Sequence, residues 1–177
     1  MREWLTAYGE YLRTARSASE HTLAAYRHDI EAFLNHLALL RGSLPPPEEI
    51  RPRWIRRYLG ERIRLGASPS TVARQLSALK GFFRYLVREG VLETSPAEPV
   101  ESPAREKRLP NVPAEADLAR ALDAGEEQAD EVAAARDRAL IELLYGGGLR
   151  LAEALALECG DLDFRRGWLR VLGKRRK

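Results

Sequence analysis

Cysteine is almost missing from this chain. Cys159 is the only one in 177 residues, so no disulfide can close within it. A lone thiol suits a reducing compartment, and a cytoplasmic location is the expectation. Histidine is scarce too, and His21, His28 and His36 all fall in one early segment. His21 and His28 could share a helix face. No carboxylate or thiolate cluster completes a metal site around them, so solvated or capping roles are expected, with no metal and no cofactor. Long apolar runs are lacking. The stretch most like a membrane span, ALIELLYGGGL, is too short and carries Glu142, so no membrane partner is expected. The opening MREWLTAYGEYLRTAR has charges throughout and lacks the apolar stretch of a secretory leader. Internal repeats are absent.

Acidic residues are also scarce, but only locally. The whole chain is balanced near +3, while residues 51–90 hold ten Arg/Lys against Glu61 and Glu89, a net of +8. Nearly all of these cations are arginines, whose planar fork matches phosphate. Such a stripe is the footprint of a nucleic-acid partner. The alternative is a solvated helix face, although such faces usually mix signs.

What is present reads mainly as helix. The first helix covers about residues 2–15. A second opens near SASEHT, where Ser17 and Glu20 match a capping box, and its Leu23, Tyr26, Ile30, Phe33 and Leu37 form one apolar face. Three consecutive prolines in RGSLPPPEE stop it. A third spans about residues 48–65 and carries much of the arginine, including Arg56 and Arg57. In the fourth, ASPSTVARQLSALKGFFRYLVREG, Ser68 caps and Pro69 takes the first position. Val72, Leu76, Leu79, Phe83 and Leu86 form its apolar stripe, while Arg74, Ser77, Lys80, Arg84 and Arg88 fall on the far side. That far side is either an ordinary polar face or a surface for a nucleic-acid groove.

Residues 94–113 hold five of the ten prolines and little apolar periodicity, which reads as an extended linker and domain boundary. Arg105, Lys107 and Arg108 make its end basic. After it come two helical stretches, AEADLARALDAG and ARDRALIELLYGG, the second with Leu140, Leu143 and Leu144 inward. Two short strands, LDF and GWLRVLG, follow, joined by RRG. The organisation is residues 1–93 as a helical domain, 94–113 as linker, and 114–177 as a second domain.

Between the last long helix and the strands stands ELLYGGGLRLAEALAL. Gly146–Gly148 allow the backbone to leave one helix, and a new one is expected from about Leu149 with Arg150 in its first turn. Free N–H groups and the helix dipole favour an anion there, and arginine adds a bidentate fork. Glu153, three residues on, could hold the guanidinium. A plain helix–turn–helix with a surface arginine fits the same residues.

These segments together resemble the tyrosine recombinase family, in its Xer-type branch. RDRALIELLYGGGLRLAEALALECGDLDFRRGWLRVLGK resembles the family's first catalytic block. STVARQLSALKGFFRYLVREGVLETSPAEPVESP resembles the helix and linker that close its core-binding domain, and SEHTLAAYRHDIEAFLNHL an early helix of that domain. The resemblance implies a mainly α fold: an all-helical, four-helix, SAM-like core-binding domain, a linker, and the first part of a mixed α+β catalytic domain. It implies that two lobes clamp duplex DNA and that protomers of the same or a related type assemble as a tetramer on it. It also implies metal-free chemistry through a 3′-phosphotyrosine, used either in chromosome partition and cell division or in DNA integration of a mobile element.

On the matching positions, Arg150 is the first active-site arginine, Glu153 its neighbouring acid, and Lys174 the hairpin lysine that protonates the 5′-oxygen. Arg175, Arg176 and Lys177 beside Lys174 disfavour a further positive charge on it. Arg175 departs from the glycine that often follows this lysine. The family's His-x-x-Arg pair and nucleophilic tyrosine lie further on. All six tyrosines here (Tyr8, Tyr11, Tyr26, Tyr58, Tyr85 and Tyr145) precede Arg150. A recombinase cut off within its catalytic domain, able to bind duplex DNA but not to cleave it, is therefore expected. Its rivals are a non-catalytic DNA-binding regulator and a helical protein-interaction module.

Overall fold

The computed structural model describes residues 1–102, 112, 114, 116–117, 120, 130–171 and 173. Two compact units divide the chain, Met1–Lys107 and Arg108–Lys177. In the first, helices α1 (Arg2–Ala15), α2 (Glu20–Arg41), α3 (Pro52–Arg64) and α4 (Pro69–Arg88) follow one another, with a short 3-10 turn at Pro47–Glu49.

Helix α4 lies at the centre, touching α1, α2 and α3. Its sequence explains this. Val72, Ala73, Leu76, Ala78, Leu79, Phe82, Phe83, Tyr85 and Leu86 are all buried, so apolar surface wraps most of the helix rather than one stripe. Each fully buried large side chain of this set contributes about 1.5–3 kcal/mol relative to exposure. Ser68 accepts a hydrogen bond from the Thr71 N–H and Pro69 occupies the first turn, as the sequence reading anticipates.

Helix α2 is capped differently from the expectation. Ser19, not Ser17, accepts from the Thr22 N–H, and Ser17 instead takes a left-handed φ of 48°. The capping-box spacing around Ser17 is matched in sequence, but the backbone turns there before the helix opens. Helix α3 likewise starts at Pro52 rather than near 48, because Pro52 fixes the first helical φ while residues 47–49 form their own turn. His36 is not solvated. Its ring packs on Tyr58 at 5.2 Å and its Nδ1 lies 3.7 Å from Glu61 Oε2. His21 and His28 are exposed.

Helices α1 and α4 approach closely at Gly81. A Cβ there would overlap Tyr8 Oη. Tyr8 cannot step aside, since it is buried with ring neighbours Phe82 at 5.6 Å and Tyr85 at 5.4 Å. Gly81→Ala should therefore lower the melting temperature although alanine is the better helix former. The overlap is expected to cost about 1–3 kcal/mol against a propensity gain of about 1 kcal/mol. Adding Tyr8→Phe removes the obstructing oxygen and should restore stability; a double variant no more stable than Gly81→Ala would disprove this account.

The proline-rich stretch does not behave as linker from its start. Ala97 and Val100 are buried in the core of the first unit. Glu98 accepts two hydrogen bonds from Arg84, at 2.9 and 2.7 Å, and the Pro99 carbonyl accepts one from Arg56 at 3.1 Å. Proline suppresses helical periodicity without preventing small apolar residues from filling a core slot.

In the second unit, α5 (Glu131–Ile141) runs into a π turn, Glu142–Gly146. Helix α6 (Leu151–Leu155), a 3-10 turn at Cys159–Asp161, and strands β1 (Leu162–Asp163) and β2 (Trp168–Leu169) follow. The strands are antiparallel, with Leu162 opposite Leu169 and Asp163 opposite Trp168. Among its described residues only Ala154 is buried; Leu140, Leu143 and Leu144 are half-buried rather than fully inward.

Candidate functional site

The site centres on Arg150, and the three glycines before it act differently. Asp130 caps α5 by accepting from the Val132 and Ala133 N–H groups at 3.0 and 3.2 Å. The helix then widens into the π turn and closes with Gly147 N–H donating to the Glu142 carbonyl at 3.0 Å. A Cβ on Gly147 would stand 2.7 Å from the Leu143 carbonyl oxygen, so only glycine fits. Gly148 has a φ of +63°, a left-handed conformation that side chains disfavour. Gly146 would accept a Cβ at ordinary contact distance.

This exit leaves Arg150 at the N-cap of α6, with φ −74° and ψ 150°, one position earlier than the first turn expected from sequence. Glu153 then grips it twice. One carboxylate oxygen accepts the Arg150 backbone N–H at 2.8 Å, and the other accepts guanidinium Nη1 at 2.6 Å. These two bonds, the backbone one first, hold the Glu153 carboxyl below its ordinary range. Glu153 is largely covered, while the Arg150 side chain is 73% exposed, so the remaining guanidinium donors face solvent. Helix α6 is only five residues long and the Arg150 N–H is already used. Anion affinity here must come from the guanidinium and not from a helix dipole.

The hairpin beyond α6 is tied together by Asp161. Arg170 donates to it through Nε at 3.1 Å and Nη2 at 3.0 Å, and the Glu158 N–H donates to its other oxygen at 3.2 Å. The Glu158 bond, then Arg170, keeps the Asp161 carboxyl below its ordinary range. Asp163 accepts from the Arg165 and Arg166 N–H groups and shapes the turn. Lys174 lies outside the described residues, as do Arg105, Lys107 and Arg108.

In the first unit the cations named from sequence are unequally available. Arg74 donates to Asp29, a carboxylate with no exposure, and is itself half-buried. Arg84 is committed to Glu98 and Arg56 to the Pro99 carbonyl. Ser77 donates back to the Ala73 carbonyl at 2.8 Å, and Lys80 is half-buried. Arg88 stacks over the Tyr11 ring at 4.8 Å with Glu89 3.9 Å away. Arg57 is exposed and makes no such contact among the described residues. Asp29 belongs to no motif in the sequence. Its signal is a carboxylate set among the apolar positions Tyr26, Ile30 and Phe33 of α2.

The helical first unit and the second unit, with its glycine-released arginine and hairpin, each match a known protein family. Residues 5–90 match the phage integrase N-terminal SAM-like domain, and residues 114–177 match the phage integrase family. The tyrosine recombinase XerC of Stutzerimonas stutzeri is 40% identical over 177 residues, covering 100% of this chain and 58% of the relative. Among solved structures, a lambda integrase(75-356) dimer bound to a COC′ core site has a TM-score of 0.71 at 22% identity, over 99% of this chain and 59% of that one. A lambda integrase tetramer bound to a Holliday junction has a TM-score of 0.70 at 23% identity, over 98% and 47%. The chain belongs to the phage integrase family of tyrosine recombinases, of the Xer type. It spans little more than half the length of the curated relatives it matches.

Proposed function

We propose that the whole protein carries out site-specific DNA recombination, and that the present residues supply its duplex-binding half and the first part of its catalytic apparatus. The observation that carries this reading is Arg150, locked at a glycine-forced helix start by both oxygens of Glu153. A guanidinium held on one side and open on the other is arranged to receive nonbridging phosphate oxygens. Glu153 is its positioning residue.

In the reaction, a tyrosine of the whole protein attacks the scissile phosphorus as its hydroxyl gives up its proton to solvent. The bond to the 5′-oxygen breaks, a 3′-phosphotyrosine forms, and Lys174 gives the 5′-oxygen its proton. Attack by the 5′-hydroxyl of a partner strand reverses these steps and completes the exchange. The partners are duplex DNA and further recombinase protomers of the same or a related kind. Relatives named XerC and a neighbour captured as a tetramer on a Holliday junction support this reading. The first unit, which takes in residues 97–100 beyond the 1–93 expected from sequence, serves as the clamping domain, and 114–177 as catalytic-domain sequence. The setting is the cytoplasm, with a role in chromosome partition and cell division.

The test measures duplex affinity of the 177-residue chain against salt, together with covalent protein–DNA adduct on a denaturing gel. Affinity should fall steeply and linearly on logarithmic axes. The chain should form no adduct, and a version extended through the catalytic tyrosine should form one. Salt-independent affinity would instead favour a protein-interaction module. Salt-dependent binding with no adduct from the extended protein would favour a non-catalytic regulator.

A further inference from the structure

We infer that a proline-walled, acid-rimmed groove in the first unit, between residues 47–52 and 90–99, docks an extended apolar segment of a partner protein that carries lysine or arginine. DNA plays no part in this contact, since carboxylates at the rim repel phosphate.

Charge is divided sharply along the first unit. Residues 51–90 carry a net of +8. The stretches on either side, 42–50 and 91–101, hold five glutamates (Glu48, Glu49, Glu93, Glu98 and Glu101) and no lysine or arginine. The same two stretches hold five of the ten prolines. The fold brings them together. Helix α4 ends at Arg88, and the chain turns at Gly90 with a φ of +74°. The Val91 and Leu92 N–H groups both donate to the Leu86 carbonyl, at 2.9 and 3.3 Å, which folds the chain back against the helix end. Ala97 and Val100 then anchor it in the core, and buried Ile50 anchors the other stretch. Between them lies a groove of about 1150 Å³, lined by Ile50, Val87 and Leu92 together with Pro47, Pro96 and Pro99.

The groove's chemistry specifies its occupant. Two cations line it: Arg84 is neutralised by both oxygens of Glu98, and Arg51 is tied to the Glu48 carbonyl at 2.6 Å. The Glu48 and Glu93 carboxylates also line it, are exposed, and meet no cation among the described residues. A ligand must therefore bring positive charge for these two carboxylates and apolar surface for the lining. A phosphate-bearing ligand fails the first condition, and a bare metal ion fails the second. Proline offers a carbonyl acceptor and no N–H, so the walls suit a ligand rich in donors, as peptide amides and lysine or arginine side chains are. Small-molecule sites occupy about 300–1,000 Å³, and the larger volume here favours a peptide. Proline also fixes the walls before binding, which lowers the ordering cost of docking. Opposite charge at the rim speeds encounter and sets the register of the bound segment.

The test uses short labelled peptides with blocked ends, read by anisotropy, with thermal melting of each protein. One peptide alternates leucine and lysine; its counterparts replace lysine by glutamate or leucine by serine. The proteins are the unmodified chain, Glu48→Lys/Glu93→Lys, Thr94→Trp, which fills the groove from its exposed rim, and Glu3→Lys/Glu131→Lys, the same charge change elsewhere. The leucine–lysine peptide should bind the unmodified chain about tenfold or more tightly than either counterpart does. Glu48→Lys/Glu93→Lys and Thr94→Trp should each weaken it by about tenfold at an unchanged melting temperature, and Glu3→Lys/Glu131→Lys should leave it unaffected. Absence of leucine–lysine binding, equal binding of all three peptides, or equal losses in the two charge-reversed proteins overturns the assignment. Sedimentation across a concentration series covers the other occupant: self-association abolished by Thr94→Trp would give the groove to a second copy of this chain and overturn the partner reading.

Discussion

Replacing Arg150 with alanine, in a protein extended through the catalytic tyrosine, is expected to slow phosphotyrosine formation by about 10²–10³ while duplex affinity barely moves. The two effects separate because binding draws on many cations, whereas negative charge on the nonbridging oxygens grows only as phosphorus is attacked. On the proposed function, Glu153 pre-sets Arg150 for that moment, since it holds the backbone N–H and the guanidinium together. Glu153→Gln can still accept the backbone bond but offers the guanidinium no charge. It should give a smaller rate loss than Arg150→Ala. Equal losses would mean that Glu153 does more than position its neighbour. In the same assay Lys174→Ala should be slow on an ordinary site and largely rescued when the 5′ leaving group is a thiol, which needs no proton. Absence of rescue would take Lys174 out of the acid role. A strong drop in duplex affinity for Arg150→Ala would place Arg150 in ground-state binding instead.

Arg74→Met should destabilise the first unit by about 3 kcal/mol at neutral pH, because it leaves Asp29 buried and charged with no cation. The loss falls at the low end for a broken buried pair because the Arg74 side chain is 41% exposed. Burial pushes the Asp29 carboxyl above its ordinary range. The Arg74 guanidinium, His28, and hydrogen bonds from Arg74 and Gln75 oppose that push. A carboxyl raised in the folded state favours folding while protonated and opposes it once ionised, so its contribution declines as pH rises through the folded value. Removing Arg74 raises that value further. The deficit of Arg74→Met should therefore be largest near neutrality and shrink as pH falls toward the ordinary carboxylate range. Asp29→Leu combined with Arg74→Met should recover most of the loss, since an apolar pair of similar volume suits that interior. Denaturant unfolding at several pH values measures all three variants. A deficit independent of pH would show that Arg74 acts through packing alone.

Local spacing made several features legible in the chain. Ser68–Pro69 marks the start of α4, and the Leu76–Leu79–Phe83–Leu86 stripe marks its buried side. Gly147 and Gly148 mark a break that only glycine can make, and Arg150 with Glu153 three residues later pairs as the spacing suggests. Each depends on residues within a turn or two of one another, where helix geometry alone decides what meets. Other expectations failed for lack of such closeness. Ser17 and Ser19 are both plausible caps, and the choice depends on where the chain leaves α1. Ala97 and Val100 sit in proline-rich sequence whose place against α3 and α4 no periodicity announces.

The chain's own pattern thus determined the helical first unit, the glycine-released arginine and the family. These follow from short-range sterics and from motifs whose order can be read directly. Which cations remain free was decided only in three dimensions. Arg74 finds Asp29 across 45 residues, Arg56 finds the Pro99 carbonyl across 43, and Arg84 finds Glu98 across 14. Arginine carries the same charge in every sequence position, but a guanidinium is available to a phosphate only where the fold has brought no carboxylate or carbonyl to meet it. Packing α4 against α2 brings Asp29 to Arg74, and the return of residues 97–100 onto the core brings Glu98 to Arg84, whereas among the described residues no such group meets Arg57 on the outer side of α3.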